Sequence, residues 1–189
     1  MDVPFAALQL LLGVGLLVRR TARLALAVSI AWALGVWYLG EGLSGVASGQ
    51  ASLVTGAPGS ALLLAVLAGA AWPSRDGSRE GPAPWLPLAW AVVWVGAAVF
   101  QALPQNSGNG VASDLTGPLV AAEYLIGVGA LVRPTKMAAA ALGLALALAF
   151  WLFGQDLGGL TSGRATDPNA GLVLALMAIA IMARPATIS

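Results

Sequence analysis

Trp37-Tyr38-Leu39-Gly40-Glu41-Gly42-Leu43-Ser44-Gly45-Val46-Ala47-Ser48-Gly49-Gln50-Ala51-Ser52 is answered further along the chain by Trp151-Leu152-Phe153-Gly154-Gln155-Asp156-Leu157-Gly158-Gly159-Leu160-Thr161-Ser162-Gly163-Arg164-Ala165-Thr166. The same spacing aligns Gly13-Val14-Gly15-Leu16-Leu17-Val18-Arg19-Arg20-Thr21 with Gly127-Val128-Gly129-Ala130-Leu131-Val132-Arg133-Pro134-Thr135. It holds without a gap from Ala7 to Ser52, with roughly 20 identities, far more than two Ala/Leu-rich helices share by chance. The matches include Trp, Arg, Gly and Ser at turn positions, where low-complexity convergence is a poor explanation. Downstream, a slip of two residues sets Gly59 against Gly171 and Pro73 against Pro185.

Working outward from the repeat, seven apolar stretches emerge: Pro4 to Val18, Thr21 to Leu39, Ser60 to Trp72, Pro84 to Leu103, Pro118 to Val132, Thr135 to Phe153 and Gly171 to Ala183. Most approach the roughly 20 residues that cross a bilayer; the third and seventh are short. Turn chemistry separates them: Pro73-Ser74, Asp76-Gly77, Pro104, Asn106 to Gly110, Pro134 and Asp167-Pro168-Asn169. Helices one to three therefore repeat as helices five to seven, with the fourth as linker. An odd linker keeps the two units in one orientation, as a parallel repeat about an axis along the membrane normal. The reading is an all-α integral membrane protein of about seven transmembrane helices. Its parts are a three-helix repeat at 1–73, a segment at 74–117 holding a cytoplasmic loop, linker helix four and an outer loop, and a second three-helix repeat at 118–189.

Composition agrees. Hydrophobic residues make up 59% of the 189 and charged residues 9%, against about 25% charged in soluble domains; the mean hydropathy is +0.86. A bilayer removes the need to hide so much apolar surface. There is no cysteine and no histidine. That excludes disulfides, thiol nucleophiles, His-ligated haem or metal and Ser–His catalysis, and no cofactor is implied. A net charge of +1, with cations scattered between apolar runs, argues against nucleic acid. Met1 to Phe5 has no basic n-region, so the first run reads as a retained helix.

Arg19, Arg20, Arg23, Arg75, Arg79, Arg133, Lys136 and Arg184 fall on one side of a seven-helix arrangement; Asp2, Glu41, Asp114, Asp156, Asp167 and Arg164 fall on the other. The positive-inside rule then places the N-terminus outside and the C-terminus in the cytoplasm of a bacterial plasma membrane. Trp37, Tyr38 and Trp151 sit at outer helix ends, where aromatic belts form.

In its three-one-three architecture the chain resembles the SWEET and PQ-loop transporter families. Those families carry a Pro-Gln pair in the first helix of each repeat. Here Pro4 and Gln9 are separate, and helix five has Pro118 and Glu123, so no residue roles carry over. The W-x-x-G-[EQ]-x-L-x-G-x-x-[ST]-G-x-A segment also resembles uncharacterised seven-helix membrane proteins of high-GC bacteria, which implies no activity. Seven helices also evoke microbial rhodopsins, but the single lysine, Lys136, opens helix six, which excludes a retinal Schiff base in helix seven.

The first candidate site is the pair of outer segments. Glu41, Ser48, Gln155, Asp156, Ser162 and Arg164 either form a polar vestibule across the pseudo-axis or belong to outer loops that pack helix ends, with Asp156 and Arg164 as a local ion pair. The second is Glu123 with its counterpart Gln9, polar groups inside apolar runs. Such a carboxyl is a proton or cation site, or a group that reaches interfacial water. Trp90 and Trp94, four apart in helix four with Gln101 beyond, share a face that stacks on a ligand ring or packs the bundle.

Two functions follow. The leading one is a small-solute transporter or permease, resting on the parallel duplication and the polar residues near the pseudo-axis, its partner a small polar or cationic solute; against it, few polar groups lie at the expected midplane, Ser29 being one. The other is a non-transporting accessory, scaffold or receptor subunit, whose partners besides the lipid bilayer are other membrane subunits or a second copy. An enzyme has only carboxylates, Ser and Tyr to work with, and no spacing suggests a triad.

Overall fold

The computed structural model describes residues 2–73, 81–106, 111–162 and 167–183. Among them the chain is helical with no strand, and seven α-helices follow in order: α1 Asp2–Leu17, α2 Ala22–Gly35, α3 Ser60–Ala70, α4 Leu86–Ala102, α5 Ser113–Gly129, α6 Lys136–Ala149 and α7 Asn169–Met182. These are the seven apolar stretches, with shifted ends. α5 starts ahead of Pro118 and carries it inside; α7 starts at Asn169 and not Gly171. Two apolar helices, each prolonged by a π-turn, have the length and composition to cross a membrane: Ala22–Gly40 and Lys136–Gly154, 19 residues each. Arg75, Arg79, Arg164, Arg184, Pro185 and the Ser162 side chain lie outside what is described.

The two three-helix units share their local chemistry. At the arginine end, Thr21 donates its hydroxyl to the Gly15 and Val18 carbonyls at 2.8 and 3.1 Å. Thr135 does the same to Gly129 and Val132 at 2.8 and 3.2 Å. These bonds satisfy carbonyls freed at the end of the first helix of each unit. Gly15 and Gly129 let the following helix close in: an added Cβ would stand 3.1 Å from Ala25 Cβ and 3.0 Å from Ala139 Cβ, respectively. At the acidic end, α2 widens into a π-turn over Val36–Gly40 and α6 into one over Phe150–Gly154. The repeated tryptophans then tie off each unit: Trp37 Nε1 donates to the Pro58 carbonyl at 2.6 Å, and Trp151 Nε1 to the Pro168 carbonyl at 2.8 Å.

These bonds reset the repeat beyond the loop. Glu41 and Gln155, equivalent by sequence, accept from the amides of Ala61 and Gly171. Ala61 and not Gly59 therefore answers to Gly171, and Pro58 answers to Pro168. The expected pairing of Gly59 with Gly171 is out by two residues. The physical reason is that helix starts, not glycines, are what the capping side chains measure. Gly59 instead answers to Asn169, and both take positive φ, 105° and 62°.

Packing is uneven. α4 lies along α5, α6 along α7 and α2 along α3, and the two units meet through α3 and α7. Trp90 and Trp94 of α4 are fully buried, with their rings 5.3 Å apart, and Trp94 stacks on Phe150 at 6.4 Å. Their shared face packs the bundle. The loop before α3 is itself core: Leu53 and Val54 are buried among α4, α6 and α7 residues. α1, by contrast, packs on α2 and stays largely exposed.

Candidate functional site

After each π-turn the backbone does something rare. Gly42, Leu43, Ser44 and Gly45 have φ of 55°, 62°, 50° and 79°; Asp156, Leu157, Gly158 and Gly159 have 46°, 55°, 68° and 75°. Each run is a left-handed turn. Left-handed backbone costs an L-residue about 1–2 kcal/mol, and a branched leucine there is an outlier that calls for a reason. The turn carries Ser44 back toward the Glu41 carboxylate, where its hydroxyl donates to Oε2 at 3.1 Å.

Glu41 is the centre of this end of the molecule. Its Oε1 accepts the Ser60 hydroxyl at 2.9 Å and the Ala61 amide at 3.1 Å, capping the start of α3, where backbone N–H groups lack partners and favour negative charge. Gly59 has to be glycine: its φ is 105°, and a Cβ would run into the Glu41 carboxylate and the Ser44 hydroxyl.

An open depression of about 520 Å³ lies here, lined by Glu41, Ser44, Gly59 and Ser60 of the first unit and Gly158, Asp167 and Asn169 of the second. The Asp167 carboxylate accepts the Asn169 amide at 2.7 Å, and Asn169 Oδ1 accepts the Ala170 amide at 2.7 Å, fixing the start of α7. The floor thus offers carboxylates, hydroxyls and an amide held by backbone. That chemistry suits a polar or cationic group. No cluster of His, Cys, Asp and Glu suited to a metal ion occurs among the described residues.

The other expected site residues are dispersed. Gln155 is 7% exposed; it accepts the Gly171 amide at 2.9 Å and donates to the Leu53 carbonyl at 2.9 Å. It is a clamp between units. Asp156 is exposed in the left-handed turn, and Ser48, also exposed, donates to the Gly45 carbonyl at 3.0 Å. Gln9 is exposed on α1. Glu123 is 0% exposed on the face of α5 that carries Ile126 and Gly127, and neither carboxyl oxygen has a hydrogen-bond partner among the described residues. Among the described residues Glu41 is therefore the one expected residue that lines the depression. Ser44, Ser60, Asp167 and Asn169 were missed; the only signal was the Asp-Pro-Asn turn. Gln101, expected beside the tryptophans, accepts the Ser52 hydroxyl at 3.0 Å and donates to the Asn106 carbonyl at 3.3 Å, while Asn106 donates to Gly49 at 2.6 Å. This knot fastens the first repeated loop segment to α4.

The repeat supplies a prediction. Glutamine already does the capping in the second unit, so Glu41→Gln is expected to keep the thermal midpoint of the purified protein in detergent. Glu41→Leu removes a cap and strands two hydroxyls, at a cost of about 2 kcal/mol. Equal losses from both variants would show that charge, and not capping geometry, holds this end together.

No family model, no curated protein and no solved structure matches this chain.

Proposed function

We propose that the chain is a multi-pass integral membrane protein, N-terminus outside and C-terminus in the cytoplasm, that serves as a non-transporting scaffold or receptor subunit with its polar depression facing out. The membrane reading is supported by side chains on the outside of the bundle: Leu11 is 69% exposed, Leu17 86%, Leu24 68%, Val92 65% and Leu125 64%. Water does not tolerate a continuous apolar coat of this kind, whereas lipid requires it. Arg19, Arg20, Arg23, Arg133 and Lys136 gather at one set of helix ends and Glu41, Asp156 and Asp167 at the other, the segregation that orients a chain in a bilayer.

One observation carries the choice between scaffold and carrier. The two units meet through a closed apolar core: Leu63 of α3 and Val173, Leu174 and Met177 of α7 are each 0% exposed. Two polar residues at the acidic end of that boundary, Glu41 and Gln155, are engaged in capping helices. A carrier whose repeats rock about a central path needs polar groups along that path, and these stop at the outer end.

A second reading has one observation in its favour. Glu123 is a buried carboxyl without a partner among the described residues, which is the mark of a proton or cation relay. Reconstituted vesicles separate the two. The scaffold reading expects uptake of cations, polyols and amino acids no faster than in protein-free vesicles. Uptake that is specific for one solute and abolished by Glu123→Gln would replace it with a carrier.

A further inference from the structure

The internal repeat holds an asymmetry. In the second unit, α4 lies over the groove formed by α5, α6 and α7. Glu123, Ile126 and Ala130 of α5 are 0%, 0% and 2% exposed beneath it, and α4 comes so close that a Cβ on Gly127 would stand 3.1 Å from both the Ala91 carbonyl oxygen and the Val95 amide. The equivalent positions of α1 are Gln9, Leu12, Gly13 and Leu16. They line an open groove of about 560 Å³, and a Cβ on Gly13 would meet nothing within 4 Å.

On the α2 wall the difference is small: Leu26 and Ala33, which line the groove, are 7% and 8% exposed, and their counterparts Ala140 and Ala147 are each 0% exposed. The α3 wall carries the contrast. With the register fixed by the helix caps, Leu64, Leu67 and Ala68 of α3 answer to Leu174, Met177 and Ala178. Leu64 is 40% exposed, whereas all three counterparts are 0%. The chain has one linker helix, and it occupies the second unit's berth.

We infer that the groove between α1, α2 and α3 is the docking site for a single membrane-spanning helix of another protein, seated as α4 is seated on the second unit. The inference rests on the membrane reading above. What fills the berth is indicated by the molecule's own precedent: an apolar helix whose backbone crosses a glycine. Gly13 permits the close backbone approach that Gly127 gives α4. Ser29 stands where the second unit has Gly143, and Trp32 already fills part of the space, so the incoming helix carries a small or polar side chain where α4 carries Trp90. A second copy fits poorly. Two concave grooves facing each other leave the space unfilled. The exposed ridge of α4, with Leu88, Val92 and Val99, would engage the groove only head-to-tail, as a ring or an open filament and never as a closed pair.

The test uses the full chain in its native membranes. A photoreactive p-benzoylphenylalanine is placed at Leu12 or Leu64 in the groove, and at Leu125 on an exposed face as control. The expected result is one adduct from the groove positions, absent from Leu125, whose crosslinked residue maps by mass spectrometry to an apolar membrane-spanning segment of a different protein. Gly13→Leu, which projects into the groove without touching its own fold, lowers that adduct about tenfold. Ala68→Phe on the opposite wall does the same, so the result does not depend on one variant. Adducts to lipid alone, to a second copy or to a soluble segment, with the chain retained after alkaline carbonate washing, overturn the docking site and leave the membrane reading standing. Release of the chain by carbonate overturns both.

Discussion

Gly127→Leu is expected to destabilise the isolated protein by about 3 kcal/mol, whereas Gly13→Leu, at the equivalent place in the first unit, is expected to stay within about 0.5 kcal/mol of the parent. The two glycines have closely similar neighbours in sequence, Leu12 and Val14 against Ile126 and Val128, and opposite surroundings. A Cβ on Gly127 would lie 2.8 Å from Val95 Cγ2 and 3.1 Å from the Ala91 carbonyl oxygen and the Val95 amide. Two of those three atoms are backbone, which cannot rotate aside as a side chain can, so a leucine there pushes α4 off α5 bodily. Around Gly13 nothing stands within 4 Å. Denaturant midpoints of the two purified variants in one detergent give the comparison. Equal losses would mean that the groove over α1 is closed in solution, and the docking site would fall with it.

The repeat and the number of helices were legible because they depend on what one sequence displays directly: identical residues at constant spacing, and apolar runs broken by Pro, Gly and Asn. The capping threonines and tryptophans were legible as matched letters, but their work was not. That Trp37 reaches Pro58 and Trp151 reaches Pro168 depends on loops of different length, 21 and 17 residues from donor to acceptor. The register beyond the loop was misread for the same reason. Glycine was aligned with glycine, although the conserved quantity is the distance from Glu41 or Gln155 to a helix start. The site was half legible. Glu41 stood out as a carboxylate in a repeated segment. Asp167 and Asn169 join it because α3 packs on α7 and sets their starts side by side, and φ at Leu43 or Leu157 is not written in the identity of leucine. Glu123 and Gln9 looked alike as polar residues in apolar helices. Burial separates them, and burial depends on where α4 lies, which pattern alone does not say.

The seat of α4 yields the other large effect. Trp90→Ala is expected to cost about 4 kcal/mol, the range for deleting a buried aromatic side chain, because the indole is 0% exposed and occupies the space that Gly143 leaves free: a Cβ there would collide with the Trp90 ring and lie 2.9 Å from Ile126 Cγ2. The indole N–H has no partner among the described residues, so the loss is one of packing, with no hydrogen bond to offset it. Gly143→Leu alone is expected to be disruptive, for want of room. Combined, the two changes exchange a large and a small residue across one contact, and the leucine refills part of the volume the indole vacates. The double variant is expected to be more stable than the sum of the single losses by about 1–3 kcal/mol. Chemical denaturation of all four proteins closes the cycle, and additive losses would mean that the ring and the glycine do not share that space. In the first unit Ser29 holds the position of Gly143 and faces the open groove, so Ser29→Leu is expected to be silent in the isolated protein and to matter only once a partner helix is seated there.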